Sequence, residues 1–458
     1  MKRLLAALLV VLSWTAFGQL RPGQRVDLLH SASVTVKRTQ SGPLTILRGE
    51  VALKNRDGIF YCDSAHWRRK EDVFVAFGNV RYQGKDGVKL RSQFLDYSKG
   101  IAFLRGDVVL VHKGQTLKTP TLRYDTQAET GQFNQGGEIE TEDGRLTCQS
   151  GRYSAAEEHF IFSGNVHAVT EDYILDCPKM EQWPNQHRYF LPLGGHAKTE
   201  HGAMEFGEAR LQTDPKISQF YHGVKGVDSL IQFRADSVYQ IDAVSQTELY
   251  GKSTAAQWAD WGPDSMEIHG MVIVRTEDWA QADGDVSTFA QGTVSHSDAM
   301  RWNATDSILN LFGLPVVWAE DYQVCADTLR FYLHYQPDLD SIYGHGLVHL
   351  SKEVDSLRSD EMAGTLLSGF MSQQKMKRLR IQGNAQALFH PDPQRSSQIL
   401  SAEIFLLFED GRLEEVQFVK GPQGEVTSAV AGNSTHLPGH RPTRAQRPFR
   451  MDAISGLK

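Results

Sequence analysis

A chain of 458 residues with a formal net charge of −7 has no global basic signature, which argues against a nucleic-acid partner. Beyond its N-terminal leader no run reaches 18 consecutive apolar residues, so no membrane-spanning helix is expected. What remains is long enough for two or three ordinary domains or for one array.

The chain opens with Lys2 and Arg3, an apolar run from Leu4 to about Trp14, and small residues at Ala16 and Gly18 before Gln19. This is the pattern of a secretory signal peptide over residues 1–18, too short for a comfortable membrane span. Losing its two basic residues takes the formal charge from −7 to −9. No cysteine follows the cleavage point, so a lipid-anchored N-terminus is not expected.

A repeat begins after the leader. The segments "LRGEVAL", "FGNVRY", "LRGDVVL", "QGGEIET", "FSGNVHA" and "LGGHAKT" align on Gly49, Gly78, Gly106, Gly137, Gly164 and Gly195, in steps of 29, 28, 31, 27 and 31 residues. After each glycine the sequence alternates, as in Val51/Leu53, Val80/Tyr82, Val108/Leu110 and Val166/Ala168, which predicts a strand with one face inward. A polar turn such as "KNRDG" or "QGKDG" follows, and Asp-Gly signals a reversal between strands. A second strand then carries Cys62, Leu90, Leu117, Cys148 and Cys177. A third, such as "VFVAF" or "HFIF", returns to the next glycine. Stacked β coils are predicted, each burying its apolar face against its neighbours.

The four cysteines fall where other coils place leucine, and Cys325 lies at the corresponding distance from Gly313. They read as unpaired core thiols. If Cys148 and Cys177 sit on adjacent coils they lie one strand spacing apart, ~4.8 Å, a separation that leaves a bridge between them open.

Past Asp214 the period loosens but strand patterns continue after Gly270, Gly292 and Gly313. "MKRLRIQGNAQALFHP" and "AEIFLLFEDGRLEEVQFV" give two further strand pairs, the second turning at Asp410-Gly411. "QTDPKISQFYHG" is the expected internal boundary. The end of the chain, "HLPGHRPTRAQRPFR", reads as a Pro/Arg-rich tail, with a contact for phosphates or anionic lipid heads as the alternative.

The leader, the G-[END]-V repeat with "CDSA" or "LRSQ" on the second strand, and the later "GLPVVWAEDYQVCADTL" and "RLRIQGNAQALFHPD" resemble a known family. They are similar to the OstA-like, LptA-type periplasmic lipopolysaccharide-transport proteins, in particular the long Bacteroidota-type members. The amphipathic strand series of an outer-membrane barrel is missing, so no barrel is expected. The resemblance implies an all-β, elongated jellyroll in two consecutive segments, 19–215 and 216–420, followed by the basic tail 421–458. It implies an apolar groove for lipid A acyl chains, with Val51, Leu53, Val80, Tyr82, Val108, Leu110, Ile139, Phe162 and Val166 as candidate lining residues. The implied partners are lipopolysaccharide, other transport components joined by strand addition at a sheet edge, and further copies end to end. The implied place is the periplasm, next to the outer membrane, with no cofactor, metal or enzymatic activity.

Alternation alone is satisfied equally by a filled core, which would make the chain an envelope scaffold or adhesin without lipid affinity. A polysaccharide-processing β-helix would need shorter coils and a cluster of Asp, Lys or Arg on one parallel sheet. Catalytic patterns are poor. Ser372 and Lys375 form S-x-x-K without the companion motifs or a helix. His345 and His349 lack the H-E-x-x-H glutamate and read as surface or core histidines. Trp258, Trp261, Trp279, Trp302 and Trp318 read as corner fillers, with sugar stacking as the alternative.

Overall fold

The computed structural model describes residues 26–441 apart from 41, 55–57, 86, 113, 142–143, 172, 201, 229–230, 259–265, 291–292, 320, 334–338, 356–357, 373–374, 393 and 429–435. The leader at 1–18 and "RPFR" at 447–450 lie outside the described residues. Every strand pairing described is antiparallel, and the chain divides into two compact units, Met1–His222 and Gly223–Lys458. The boundary expected after residue 215 stands just before the strand Lys216–Asp228, within which the two units divide.

In the first unit the glycine-bearing strands Gly42–Lys54, Val73–Gly84, Ile101–His112 and His159–Thr170 alternate with return strands such as Gly58–Arg68, Lys89–Ser98, Gln115–Asp125 and Ile174–Trp183. The expected three strands per repeat become two. At Gly49, Gly78, Gly106 and Gly164 the segment before the glycine and the segment after it are one long strand, bent at the glycine.

The bend explains the signature. Gly49-Glu50, Gly78-Asn79, Gly106-Asp107 and Gly164-Asn165 are consecutive residues in the left-handed region, with φ from +46° to +79°. At each pair the ladder register slips, two residues opposing one, as in a β-bulge. Asn and Asp tolerate this conformation best among residues with a side chain, hence G-N and G-D; Glu50 departs from that preference. At Gly78 a second constraint acts, because a Cβ there would run into the Asp63 carboxylate. Asn79 Nδ2 donates to that carboxylate at 2.9 Å, so the corner is tied to the neighbouring strand.

Two repeat positions need correction. Gly137 and Gly195 begin strands, Gly137–Glu140 and Gly195–Lys198, and the positive φ falls one residue earlier, on Gly136 and Gly194. In the second unit Gly270 lies inside the strand Met266–Arg275 without a positive φ, and Gly292 is outside the described residues. The tandem corner recurs instead at Gly284-Asp285, Gly313-Leu314 and Gly383-Asn384. Strands here are longer, reaching 18 residues in Lys375–Asp392. The turn at Asp410-Gly411 joins Arg395–Glu409 to Arg412–Val419 as expected, both turn residues having positive φ.

Candidate functional site

The register places the candidate lining residues in two neighbouring rows of the first unit. Val51 pairs with Cys62, Val80 with Ser92, Val108 with Thr119 and Val166 with Cys177. Two residues further on, Leu53, Phe60, Tyr82, Leu90, Leu110 and Leu117 are successive cross-strand partners. The row continues through Ile139, Leu146, Ala168 and Leu175 to Ala197 and Met204. It is an unbroken apolar line across twelve strands, in which each pair adds to sheet stability.

Phe162 stands on the other side of its bend, opposite Met180, and stacks on Phe160 with ring centroids 6.0 Å apart. Eight of the nine candidates are at most 5% exposed, and Tyr82 is half-buried. Val51, Leu53 and Val80 join Leu47, Cys62, Ala65 and Ala76 in one packed cluster. The interior side chains of these coils therefore pack against one another.

All four cysteines are free and buried. Burial, with Asp63 adding to it at Cys62 and Asp176 at Cys177, pushes the thiols of Cys62, Cys148 and Cys177 up to about 12, so they stay protonated and unreactive. The single-spacing estimate for Cys148 and Cys177 is overturned. The strand His159–Thr170 runs between theirs, pairing with Gly144–Cys148 on one side and with Cys177 on the other. Two strand spacings, ~9.6 Å, are beyond a disulfide's reach.

The remaining sequence candidates separate. Ser372 and Lys375 face each other across a β-hairpin, Lys375 Nζ lying 3.3 Å from Asp410, so the S-x-x-K helix does not exist. His345 is exposed, whereas His349 is buried against Glu361. Trp318 is buried and donates from Nε1 to Gln323 Oε1 at 2.8 Å, a filling role; Trp279 and Trp302 are half-buried. Trp261 and the side chain of Trp258 lie outside what is described. The described residues hold no catalytic triad and no organised active site. One group among them has metal-ligand spacing: His349, Glu361 and His440.

Two features were not legible in the sequence. A cavity of ≈ 600 Å³ in the first unit is lined in part by Trp183, Arg188, Phe190 and Arg210. Its guanidinium groups lie over rings, Arg188 5.0 Å from Trp183 and Arg210 5.8 Å from Phe190, while Glu181 also lines it and Arg210 is ion-paired with Glu208. The second feature is an open edge. Among the described residues Asp27–His30 and Ser33–Thr39 pair only with Gly42–Lys54, and Leu29, Val34 and Val36 are exposed along them. No helix of the described residues is long and apolar enough to cross a membrane.

No curated protein matches the chain. Residues 23–178 match the family model described as OstA-like protein, the stretch that contains the four bends at Gly49, Gly78, Gly106 and Gly164, and the chain carries an OstA-like domain over those residues.

Proposed function

We propose that the chain binds lipopolysaccharide through its acyl chains along the apolar rows of the first unit and helps carry it across the periplasm for outer-membrane assembly. The observation that supports this reading is the unbroken row from Leu53 to Met204, lying largely within the OstA-like domain. Each acyl methylene kept out of water contributes ~0.8 kcal/mol, so a multi-chain lipid needs such a lining throughout its transit. Identical neighbouring sites let it slide without a deep trap. The mechanism is shielding, with no bond made or broken. The N-terminal strands, which among the described residues pair on one side with Gly42–Lys54, fit strand addition by a transport partner or by a second copy.

A second reading rests on burial. Val51, Val80 and Val108 are 0% exposed, so lipid entry requires the interior to open; if it never opens, the chain is an envelope scaffold with a filled core. Photo-crosslinkers at Val80, Val108 and Val166, with outward Arg81 and His167 as controls, separate the two. Lipopolysaccharide adducts at the inward set alone are expected. A folded, β-rich protein giving no inward adduct would transfer the assignment to the scaffold.

A further inference from the structure

The second unit buries side chains that an uncovered sheet face would leave wet. Trp318, Gln323, Ser351 and Glu361 are successive cross-strand partners, and each is at most 2% exposed. His349 is on the same face, opposite Cys325. Residues 436–441 lie over them. Leu437 packs on Ala363 and Leu388, and its N–H donates to Glu361 Oε2 at 2.7 Å. Gln323 Nε2 donates to the Arg441 carbonyl at 3.0 Å, and the Arg441 guanidinium donates to the Leu314 carbonyl.

Three imidazoles converge on the Glu361 carboxylate. His349 Nε2 is 3.1 Å from Oε2, His436 Nδ1 is 2.5 Å from Oε1, and His440 Nδ1 is 3.1 Å from Oε1. Despite that distance His440 Nδ1 is buried and makes no hydrogen bond. The ligand atoms of His349, Glu361 and His440 all lie within 4.8 Å of one another.

Hydrogen bonding alone does not account for this cluster. The Glu361 carboxylate accepts from Ser359, His436 and the Leu437 N–H, and His349 Nε2 and His440 Nδ1 both point at it as well. Among these nitrogens His440 Nδ1 is buried without a hydrogen bond, and an imidazole lone pair aimed at a carboxylate is repulsive unless a cation lies between. Tetrahedral zinc holds nitrogen and oxygen ligands at ~2.0–2.2 Å, so adjacent ligand atoms stand roughly 3.3 Å apart. The 3.1 Å separations are close to that spacing.

We propose that His349, Glu361 and His440 form a divalent transition-metal site, suited to zinc, that fastens residues 436–441 to the sheet. Imidazole with carboxylate selects zinc-like ions over magnesium or calcium, which take oxygen ligands. His436 is a positioning residue, its contact with Oε1 orienting the carboxylate. The site is independent of the lipid reading, since the clasp forms whether or not the first unit carries lipid.

The test uses the purified full chain, stripped with a chelator and dialysed against Zn²⁺, with Co²⁺ absorbance reporting coordination. One equivalent per chain is expected. His440→Ala, on the covering segment and outside the sheet, should keep the far-UV circular dichroism and weaken Zn²⁺ binding at least ~100-fold, the upper range for losing even an outer partner. Zn²⁺ should also slow hydrogen exchange at the Leu437 amide in the parent chain and not in the variant. Failure of the parent chain to take up stoichiometric zinc, or equal affinity in a folded His440→Ala, overturns the site.

Discussion

Outward residues along the first unit's ladder, such as Arg81, Arg91 and Lys118, are exposed, whereas the row of Trp318, Gln323, Ser351 and Glu361 in the second unit is buried. The strands are built alike, with the same bent corners. What differs is what lies over the face: residues 436–441 cover the second unit's row and convert it from a wet surface into an interior. Burial of a polar residue in such a sheet is thus decided by a distant segment, and two of the row, Gln323 and Glu361, satisfy that segment's backbone.

The sharpest way to break this comparison is to delete one anchor in each unit. Phe162→Ala should cost ~3–5 kcal/mol through lost contact and a cavity, and Phe162→Leu clearly less. Glu361→Ala should cost a similar ~3–5 kcal/mol for a different reason: the groups that met the carboxylate are left buried without a partner. Urea denaturation midpoints of the purified variants measure both. A Glu361→Ala cost below ~1 kcal/mol, the range of exposed pairs, would mean that the 436–441 segment does not seal the face.

The repeat, its β character and its inward residues were legible because each coil repeats one physical problem, the burial of one apolar face, and solves it with Val at the second position past the glycine. The corner itself was misread. A glycine at the start of a strand and a glycine bending a continuous strand leave the same local pattern, and only the paired φ values distinguish them. That error also placed Cys148 and Cys177 one spacing apart instead of two. The His349–Glu361–His440 cluster was out of reach for another reason. Its members are brought together by a fold-back of 79 residues from Glu361 to His440, and neither "YGHGLVHL" nor "HLPGH" carries a ligand spacing that announces the other.

The corner is tested within the first unit by two glycines that share a left-handed φ and differ in their surroundings. Gly87 has φ +88° with nothing within 4 Å of a notional Cβ, whereas Gly78 has φ +70° and faces Asp63. Gly87→Ala should cost ~1 kcal/mol from conformation alone. Gly78→Ala should cost ~2–3 kcal/mol, adding the collision to the strain. Thermal or urea unfolding of the two variants gives the difference directly, and equal costs would remove Asp63 from the account of the corner.

The smallest effect expected concerns acid. Glu403, with Arg380 2.7 Å away and also paired with Lys420, has its carboxyl pulled down to about 2 by the hydrogen bonds from Lys420 and Arg380, against the opposing push of burial. A depressed carboxylate contributes stability that is complete above its unfolded value of roughly 4.3 and is lost as pH falls through about 2. Unfolding midpoints should therefore decline across that window, and Glu403→Gln should flatten the decline, lowering the midpoint at neutral pH and converging with the parent as pH approaches about 2. Exposed first-unit pairs such as Arg105–Asp96, 2.6 Å apart with both side chains at least 40% exposed, should give no comparable slope when Asp96 is replaced by Asn. The contrast follows from the surroundings of the two pairs. The Glu403 side chain is only 8% exposed and meets two cations, so its ionised form is favoured more strongly than that of Asp96, which is 40% exposed and meets Arg105.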